Sequence, residues 1–262
     1  MKFQRINALL IRHLYLMKRS FPRIMDIFFW PVMELLLWGF LSVYIQKLKI
    51  ANLNIVTVLL GAIILWSLLQ SAQQSISVAF LEEVWEKNLL NIFVTPLRII
   101  EFLFSTLFLG IIKIVLVSAV LGILAALFYA FNIFQFGFSL IPFIIVLLIF
   151  GWAIGLFTMA VILRFGTSAQ VLAFGFIFLI QPFSAVFYPV SALPAGVRHV
   201  SYLLPSTYVF EGMRAVMAGG LFPYHELVLA SAVAGVYLVL VLFFFYKMFG
   251  WVKQRGLLMK LD

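Results

Sequence analysis

The chain has 262 residues, of which 65% are hydrophobic and 10% are charged, and its formal net charge is +9. Soluble domains are about half apolar and about a quarter charged, so a soluble fold of this size could not bury so much apolar surface. The sequence contains no cysteine, which excludes disulfides, thiolate catalysis and thiolate metal sites. We therefore expect an all-α membrane protein whose basic residues orient it in the bilayer rather than bind nucleic acid.

The first predicted element is a basic amphipathic helix over residues 1–22. Arg5, Arg12 and Arg19 repeat every seven residues and share one helical face, while apolar residues occupy the opposite face. Such a helix suits the headgroup plane of a membrane, and Pro22 is expected to end it. A plain topogenic signal is an equal alternative. No short apolar core with a cleavage site follows directly, so we expect no removable signal peptide.

Six segments are apolar and long enough to cross a bilayer, which takes about 20 residues. If all six cross, most Lys and Arg residues fall on the side of the two termini. This bias places both termini in the cytoplasm. The predicted spans cover residues 24–45, 55–80, 102–131, 140–163, 168–190 and 227–249.

The link between the second and third spans, residues 82–93, reads as a short amphipathic helix with an acidic start. Glu83 and Lys87 are four residues apart with the acid first, the favourable order on a helix. An acidic helix suits a protein partner better than anionic lipid, although a solvated linker helix is the alternative. The candidate contact residues are Glu82, Glu83, Trp85, Glu86, Lys87 and Leu89.

The stretch after the fifth span, residues 183–217, is apolar but interrupted by prolines, which prevent one continuous helix. Short apolar segments of this kind can enter the outer leaflet and return if protein buries their backbone. We predict an extracytoplasmic re-entrant hairpin, with an external loop carrying a surface helix as the alternative. Its candidate residues are Pro182, Phe187, Tyr188, Pro189, Pro194 and Pro205.

Two charged residues fall at membrane depth, Glu34 in the first span and Lys113 in the third. Such residues are costly and usually face a partner or a water-filled cavity. An ion pair between them and snorkelling of Lys113 to the inner surface are both open.

Motifs for catalysis are missing from the sequence. It contains no GxxxxGK[ST] phosphate loop and no HExxH, and nothing resembles a nucleophile elbow around a serine. Its three histidines are far apart. We therefore expect neither an enzyme, nor a metal site, nor a cofactor in this chain.

The order of these parts resembles the ABC-2 type permeases over almost the whole chain. The sharpest similarity lies in Phe29-Trp30-Pro31 with Trp38-Gly39, in Leu81 to Pro96, and in Phe183 to Pro205. One departure is Ala185, where the family commonly has a small residue, often glycine, before a Phe-x-Pro step.

This resemblance implies a single transmembrane domain over residues 1–262. The segment 1–22 would be the interfacial helix, 82–93 the cytoplasmic coupling helix anchored by Trp85 and Leu89, and 183–217 the external gate. The partners would be a separate ABC ATPase subunit carrying ATP and magnesium, a second identical permease copy, and membrane lipid, but not nucleic acid.

The resemblance also implies an exporter in the inner membrane of a bacterial or archaeal cell. Its substrate would be a glycan, a lipid-linked molecule or a hydrophobic compound, and the polysaccharide and nodulation-factor branch is the most similar. A drug or antibiotic efflux permease of the same family is an alternative. A secondary transporter, which usually shows paired repeats, and a membrane-embedded enzyme acting on lipid are further alternatives.

Overall fold

Helices account for nearly all of the folded chain, which confirms the all-α prediction. The computed structural model describes residues 2–48, 55–132 and 138–255. These ranges contain ten α-helices and no strand. The helices are α1 (Phe3–Arg19), α2 (Phe21–Lys47), α3 (Ile55–Trp85), α4 (Leu89–Val94), α5 (Ile99–Tyr129), α6 (Ile141–Phe165), α7 (Gln170–Ile180), α8 (Ala195–Ser201), α9 (Pro205–Met217) and α10 (Tyr224–Gln254).

Within the described ranges, five helical segments are long and apolar enough to cross a membrane: α2, α3, α5, the 46-residue segment Phe138–Phe183, and α10. That 46-residue segment contains both α6 and α7, which were predicted as separate spans. Gly166, with φ of 61°, ends α6, and Phe157 then contacts Phe176 at 5.5 Å between ring centroids. The two helices thus fold back on each other. Because α7 has 11 residues, it is only about 16 Å long, and the six-span topology stays a prediction.

The centre of the bundle is α3, which is buried on nearly every face. Trp66, Leu69 and Phe80 have no exposed surface. In a bilayer such side chains stabilise the bundle by packing against neighbouring helices, since lipid tails are as apolar as they are. The helices α2, α5, α6 and α7 pack around α3, whereas α10 packs on α6, so movement of α3 is passed directly to these neighbours.

Two glycines one turn apart bring α6 against the backbone of α3. A Cβ atom added at Gly151 would lie 2.7 Å from the Leu69 carbonyl oxygen, and one at Gly155 would lie 2.7 Å from the Gln73 carbonyl oxygen. Small residues at this spacing allow close helix packing in membranes. The side chain of Gln73 then reaches past α6 and donates to the Ala173 carbonyl of α7 at 3.1 Å.

The break between α1 and α2 lies at Ser20 and not at Pro22, where it was predicted. Ser20, with extended dihedral angles of φ −115° and ψ 102°, separates the two helices. Pro22 lies in the first turn of α2 and does not break α1. A proline is well tolerated there because the first amides of a helix have no intrahelical acceptor.

The helices α6 and α10 run in the same direction and place their last turns at one end of the bundle. Phe150 contacts Tyr237 and Phe157 contacts Phe244, with ring centroids 5.5 and 5.6 Å apart. Phe93 of α4 lies 5.6 Å from Phe249 of α10. We call this end, which contains residues 82–96, the elbow end. The opposite end is the one where α9 leads into α10.

Candidate functional site: an acidic elbow

The acidic link does not form the single helix that was predicted over residues 82–93. We call residues 82–96 the elbow. Here α3 ends at Trp85, and Lys87 adopts a left-handed conformation with φ of 52°. The amide of Asn88 donates to the Glu83 carbonyl and that of Lys87 to the Val84 carbonyl, both at 3.0 Å. This pair of bonds is the Schellman stop of a helix, which usually has glycine where Lys87 stands.

The acids of the elbow are bound by this chain's own arginines. Arg12 of α1 forms a two-pronged ion pair with Glu83, and its Nη2–Oε2 distance is 3.1 Å. Arg23 of α2 bonds Glu86 at 2.5 Å and lies 3.4 Å from Glu82. Planar guanidinium groups are well suited to such paired contacts. Ion pairs therefore join the elbow to α1 and to the start of α2.

Glu83 has two further neighbours inside the protein. The side-chain amide of Asn88 donates to its Oε2 at 2.7 Å, and His13 Nε2 lies 3.8 Å from its Oε1. Burial is the main reason that the pKa of His13 is lowered to about 4. Glu83 opposes that shift, while Arg12 adds to it. His13 is therefore neutral at physiological pH.

The two apolar residues predicted to anchor a partner lie mostly against this chain. Leu89 is 3% exposed and packs in the core with Phe102. Trp85 is half exposed, but its Nε1 donates to Gln170 Oε1 at 3.2 Å and its ring stacks on Phe174 at 6.5 Å. Besides Trp85, the exposed side chains among the described residues of the elbow are Glu86, Lys87, Asn91, Val94, Thr95 and Pro96.

The N-terminal helix α1 also uses its basic face inside the protein. Arg5 bonds the Pro96 carbonyl and lies 3.5 Å from Glu101 Oε2. The amide of Lys2 donates to Glu101 Oε1 at 2.8 Å. Of the three arginines on that face, Arg5 and Arg12 thus hold α1 against the start of α5 and the elbow.

A small polar cavity lies beside the elbow, between α1, α2, α3 and α5. It has a volume of about 50 Å³, room for a few water molecules. One face of α3 lines it with amides and hydroxyls, and charged groups from the other helices complete it. Its polar lining residues are His13, Arg23, Asp26, Gln70, Ser71, Gln74, Ser75, Glu82 and Lys113.

The cavity was missed by our sequence analysis, which named only Lys113 among the residues at membrane depth that line it. The available signal was the polar run Gln70-Ser71-Ala72-Gln73-Gln74-Ser75 in the middle of the second predicted span. Polar side chains there are expected to face a bundle interior or a cavity rather than lipid.

The structure does not bring the two charges at membrane depth together. The acids that act on Lys113 are Glu82 and Asp26, and all three residues line the polar cavity. Glu34 is half-buried on α2, and within the described ranges its side chain has no hydrogen bond or ion pair. Lys113 is thus part of the elbow's electrostatic surroundings, and Glu34 is not.

The segment between α7 and α10 is interrupted at its prolines. Pro182 lies in the 3-10 turn that follows α7, and Pro189 precedes a second 3-10 turn. Pro194 immediately precedes α8, and Pro205 is the first residue of α9. Interruption by these prolines is confirmed, whereas the re-entrant path through a membrane stays a prediction.

Phe187 and Tyr188, the aromatic residues predicted for this segment, hold it against the bundle and against itself. The ring of Phe187 stacks on Trp38 of α2, with centroids 4.3 Å apart and an interplanar angle of 19°. The Tyr188 hydroxyl donates to the Pro182 carbonyl at 2.5 Å. Phe187 therefore connects this segment directly to the first span.

A polar clamp fixes the sharpest turn of the segment. Ala185 has φ of 51°, so the backbone keeps a left-handed conformation without a glycine. Arg214 of α9 donates to the Ala185 carbonyl at 2.9 Å and pairs with Glu211 at 3.0 Å. Glu211 in turn accepts the Val190 amide at 2.7 Å.

Comparison with known families decides the class of protein. The family model described as ABC-2 family transporter protein matches residues 42–247. The chain belongs to the ABC-2 transporter family. It is thus the membrane component of an ABC transporter, and membership implies an ABC ATPase partner. No curated protein matches the sequence.

The matched range of this ABC-2 member covers only part of the site described above. The matched range contains the elbow, the polar run of α3 and the segment between α7 and α10. Arg12 and Arg23 lie before it. The acids of the elbow therefore belong to the matched region, while the arginines that bind them do not.

Proposed function

We propose that this chain is the membrane-spanning permease subunit of an ATP-driven exporter. A separate ATPase chain, with its ATP and magnesium, would supply the energy. The cargo would be a glycan, a lipid-linked molecule or a hydrophobic compound moved out of the cytoplasm. Family membership supports the transporter class, and the geometry of the elbow supports the way in which energy enters the bundle.

The observation that carries the proposal is the set of ion pairs between the elbow acids and Arg12 and Arg23. The elbow comprises the C-terminal end of α3 and α4, and it leads into α5. A partner that displaces it also pulls α1 and α2 through the arginines. This arrangement favours a rigid lever made of the elbow with α1, α2 and α3 over a lone amphipathic helix that a partner grips by its acids.

The contact surface for the ATPase would be the outward side of the elbow. Val94 is 77% exposed at the end of α4, and Asn91 lies beside it. A groove of about 370 Å³ separates this side from α1, with Arg5 and Arg12 on the far wall. Val94, with Asn91, Arg5 and Arg12 nearby, would thus contact the ATPase in place of the predicted anchor residues Trp85 and Leu89.

Movement at the elbow would reach the membrane through the polar cavity. Glu82 is shared by the elbow and the cavity, where Lys113 and Asp26 are its neighbours. Rotation of α3 that moves Glu82 changes which charges face Lys113. The cavity has room for a few water molecules, which would solvate the charges in each arrangement.

At the opposite end, the segment 183–217 would act as the external gate. The stack of Phe187 on Trp38 couples this segment to α2, the same helix that Arg23 joins to the elbow. We also propose a second copy of the chain as partner. The exposed aromatic and aliphatic stripe of α2 supports this pairing: Trp30, Met33, Leu37, Phe40 and Tyr44.

Site-specific photo-crosslinking in native membranes tests the proposal. A crosslinking amino acid placed at Val94 should capture a protein with a GxxxxGK[ST] phosphate loop. The control position is Leu221, which is 96% exposed just before α10 and should capture no such protein.

Capture of the ATPase from Val94 but not from Leu221 would support the ATPase as the partner and a cytoplasmic position of the elbow. Equal capture from Leu221, or no phosphate-loop protein at either position, would show that the elbow is not where the ATPase binds.

A further inference from the structure

A basic groove runs between α6 and α10 near their C-terminal ends. It has a volume of about 260 Å³, and both of its cationic lining residues, Arg164 and Lys247, are exposed. Within the described part of the chain, neither forms an ion pair or a hydrogen bond with another residue. Its remaining walls are apolar: Phe244, Met248 and Trp251.

Trp251 contacts Arg164 of this groove and Arg255 next to it. The Arg164 guanidinium carbon lies 5.3 Å from the indole centroid, and that of Arg255 lies 4.4 Å from it. Cation–π contacts of this kind orient a guanidinium without neutralising its charge. The donors of Arg164 therefore remain available to an external anion.

The helix dipole does not account for both cations. Arg164 is in the last turn of α6, where a basic residue is favoured. Lys247 precedes the end of α10 by seven residues, about 10 Å along the helix. An exposed ammonium at that depth in a membrane-spanning helix needs an anion or water.

Along the seam between α6 and α10, the face of α10 that carries Lys247 continues as apolar surface. Phe244 lines the basic groove, and Leu240, one turn further from the C-terminal end, is 61% exposed. Leu240 is seven residues from Lys247, which is two helical turns or about 10 Å along α10. That length of apolar surface fits within one leaflet, since the hydrocarbon core of a bilayer is about 30 Å thick.

We propose that this seam binds an anionic phospholipid of the leaflet at the elbow end. Its phosphate would lie between Arg164 and Lys247, its glycerol region near Trp251, and an acyl chain along the exposed face of α10 towards Leu240. Basic pockets between membrane helices are suited to such headgroups. The bound lipid would join the C-terminal parts of α6 and α10.

The test compares three full-length proteins reconstituted in nanodiscs of phosphatidylcholine and phosphatidylglycerol in equal amounts. They are the wild type, the groove variant Arg164→Gln/Lys247→Gln, and the control variant Lys18→Gln/Lys253→Gln. The control removes the same charge from exposed positions outside the groove. After transfer to detergent, native mass spectrometry counts the lipids retained, and a melting curve verifies that each variant is folded.

Wild type and control should retain phosphatidylglycerol over phosphatidylcholine, and the groove variant should lose about fivefold or more of that preference. Three results would overturn the proposal. They are no preference in the wild type, an equal preference in all three proteins, or an equal loss in both variants.

Discussion

Arg12 of α1 and Glu83 of α3 meet through both terminal guanidinium nitrogens and both carboxylate oxygens, although they lie 71 positions apart in sequence. The Glu83 side chain is 2% exposed, while that of Arg12 is 32% exposed. An acid this deeply buried depends on its cation, since an unpaired buried charge is strongly unfavourable. The N-terminal helix is therefore part of the folded bundle, with its basic face turned towards the elbow.

The substitution Arg12→Met should destabilise the protein by about 2–3 kcal/mol, because it leaves Glu83 buried without its main partner. Unfolding in mixed micelles, followed by circular dichroism, measures the loss. The double variant Arg12→Met/Glu83→Gln should recover most of it, since no buried charge then remains unpaired.

Lys18→Met is the matched control on the exposed face of α1 and should change the free energy of unfolding by less than about 0.5 kcal/mol. Additive effects of the two substitutions at Arg12 and Glu83 would contradict a direct pair.

His13 should make stability depend on pH below neutrality. Its pKa is lowered from 6.5 to about 4 in the folded protein, so between these values the unfolded chain binds a proton that the folded chain does not. Stability is then full above pH 6.5 and falls by up to about 3 kcal/mol as pH decreases towards 4. Melting temperatures measured across this range test the sign.

His13→Gln should flatten that dependence, whereas His225→Gln, at an exposed position at the start of α10, should leave it unchanged. A wild-type melting temperature that rises on acidification from pH 6.5 to 4 would refute a buried neutral His13.

Ala185→Gly should stabilise the protein by about 1 kcal/mol. Ala185 has φ of 51°, and a left-handed conformation costs a residue with a Cβ about 1–2 kcal/mol. Ala218 has φ of −77°, so Ala218→Gly relieves no left-handed strain and serves as the control. Thermal unfolding of both variants decides the point, and equal shifts would mean that the turn at Ala185 is not strained.

Lys113→Met should weaken the coupling of ATP hydrolysis to movement without lowering the stability of the protein. Within the described ranges, the Lys113 side chain has no hydrogen bond or ion pair, and methionine of similar length avoids the cost of burying an ammonium. We expect unchanged or increased stability, by about 1 kcal/mol, together with weaker coupling between ATP hydrolysis and movement of the bundle. Lys47→Met, at the opposite end of α2, is the control for loss of one charge.

A decrease in stability on Lys113→Met, with coupling intact, would show that the ammonium is a structural partner of Glu82 and Asp26. The comparison needs both a melting curve and an assay of the assembled transporter.

The long apolar helices could be predicted because composition and length alone distinguish a membrane span. The boundary between α6 and α7 was also visible, but not the fact that α7 ends after 11 residues. Apolar residues such as Phe183, Val186 and Phe187 follow Ile180, so the predicted span was extended past Pro182. The packing of Phe187 on Trp38 and the clamp of Arg214 hold that stretch in turns instead.

The acids of the elbow were identified from sequence, but their partners were not. Glu83 and Arg12 are far apart along the chain, and a basic amphipathic helix is equally suited to lipid headgroups and to buried carboxylates. The helix break at Lys87 was missed for a different reason. Glycine usually occupies the left-handed position of such a stop, and here the hydrogen bonds of Asn88 and Lys87 fix the same geometry.

The most direct test of the lever uses the absence of cysteine from the sequence. A single cysteine introduced at Leu221 carries an environment-sensitive fluorophore at the opposite end of the bundle, in the permease reconstituted with its ATPase in nanodiscs. Fluorescence is recorded before and after ATP addition for wild type, Arg12→Glu, Glu83→Arg and the double charge swap. We predict an ATP-dependent change in the wild type, its loss in both single variants while the ATPase stays bound, and its return in the double variant. An undiminished change in the single variants would contradict the claim that these ion pairs carry motion from the elbow into the bundle.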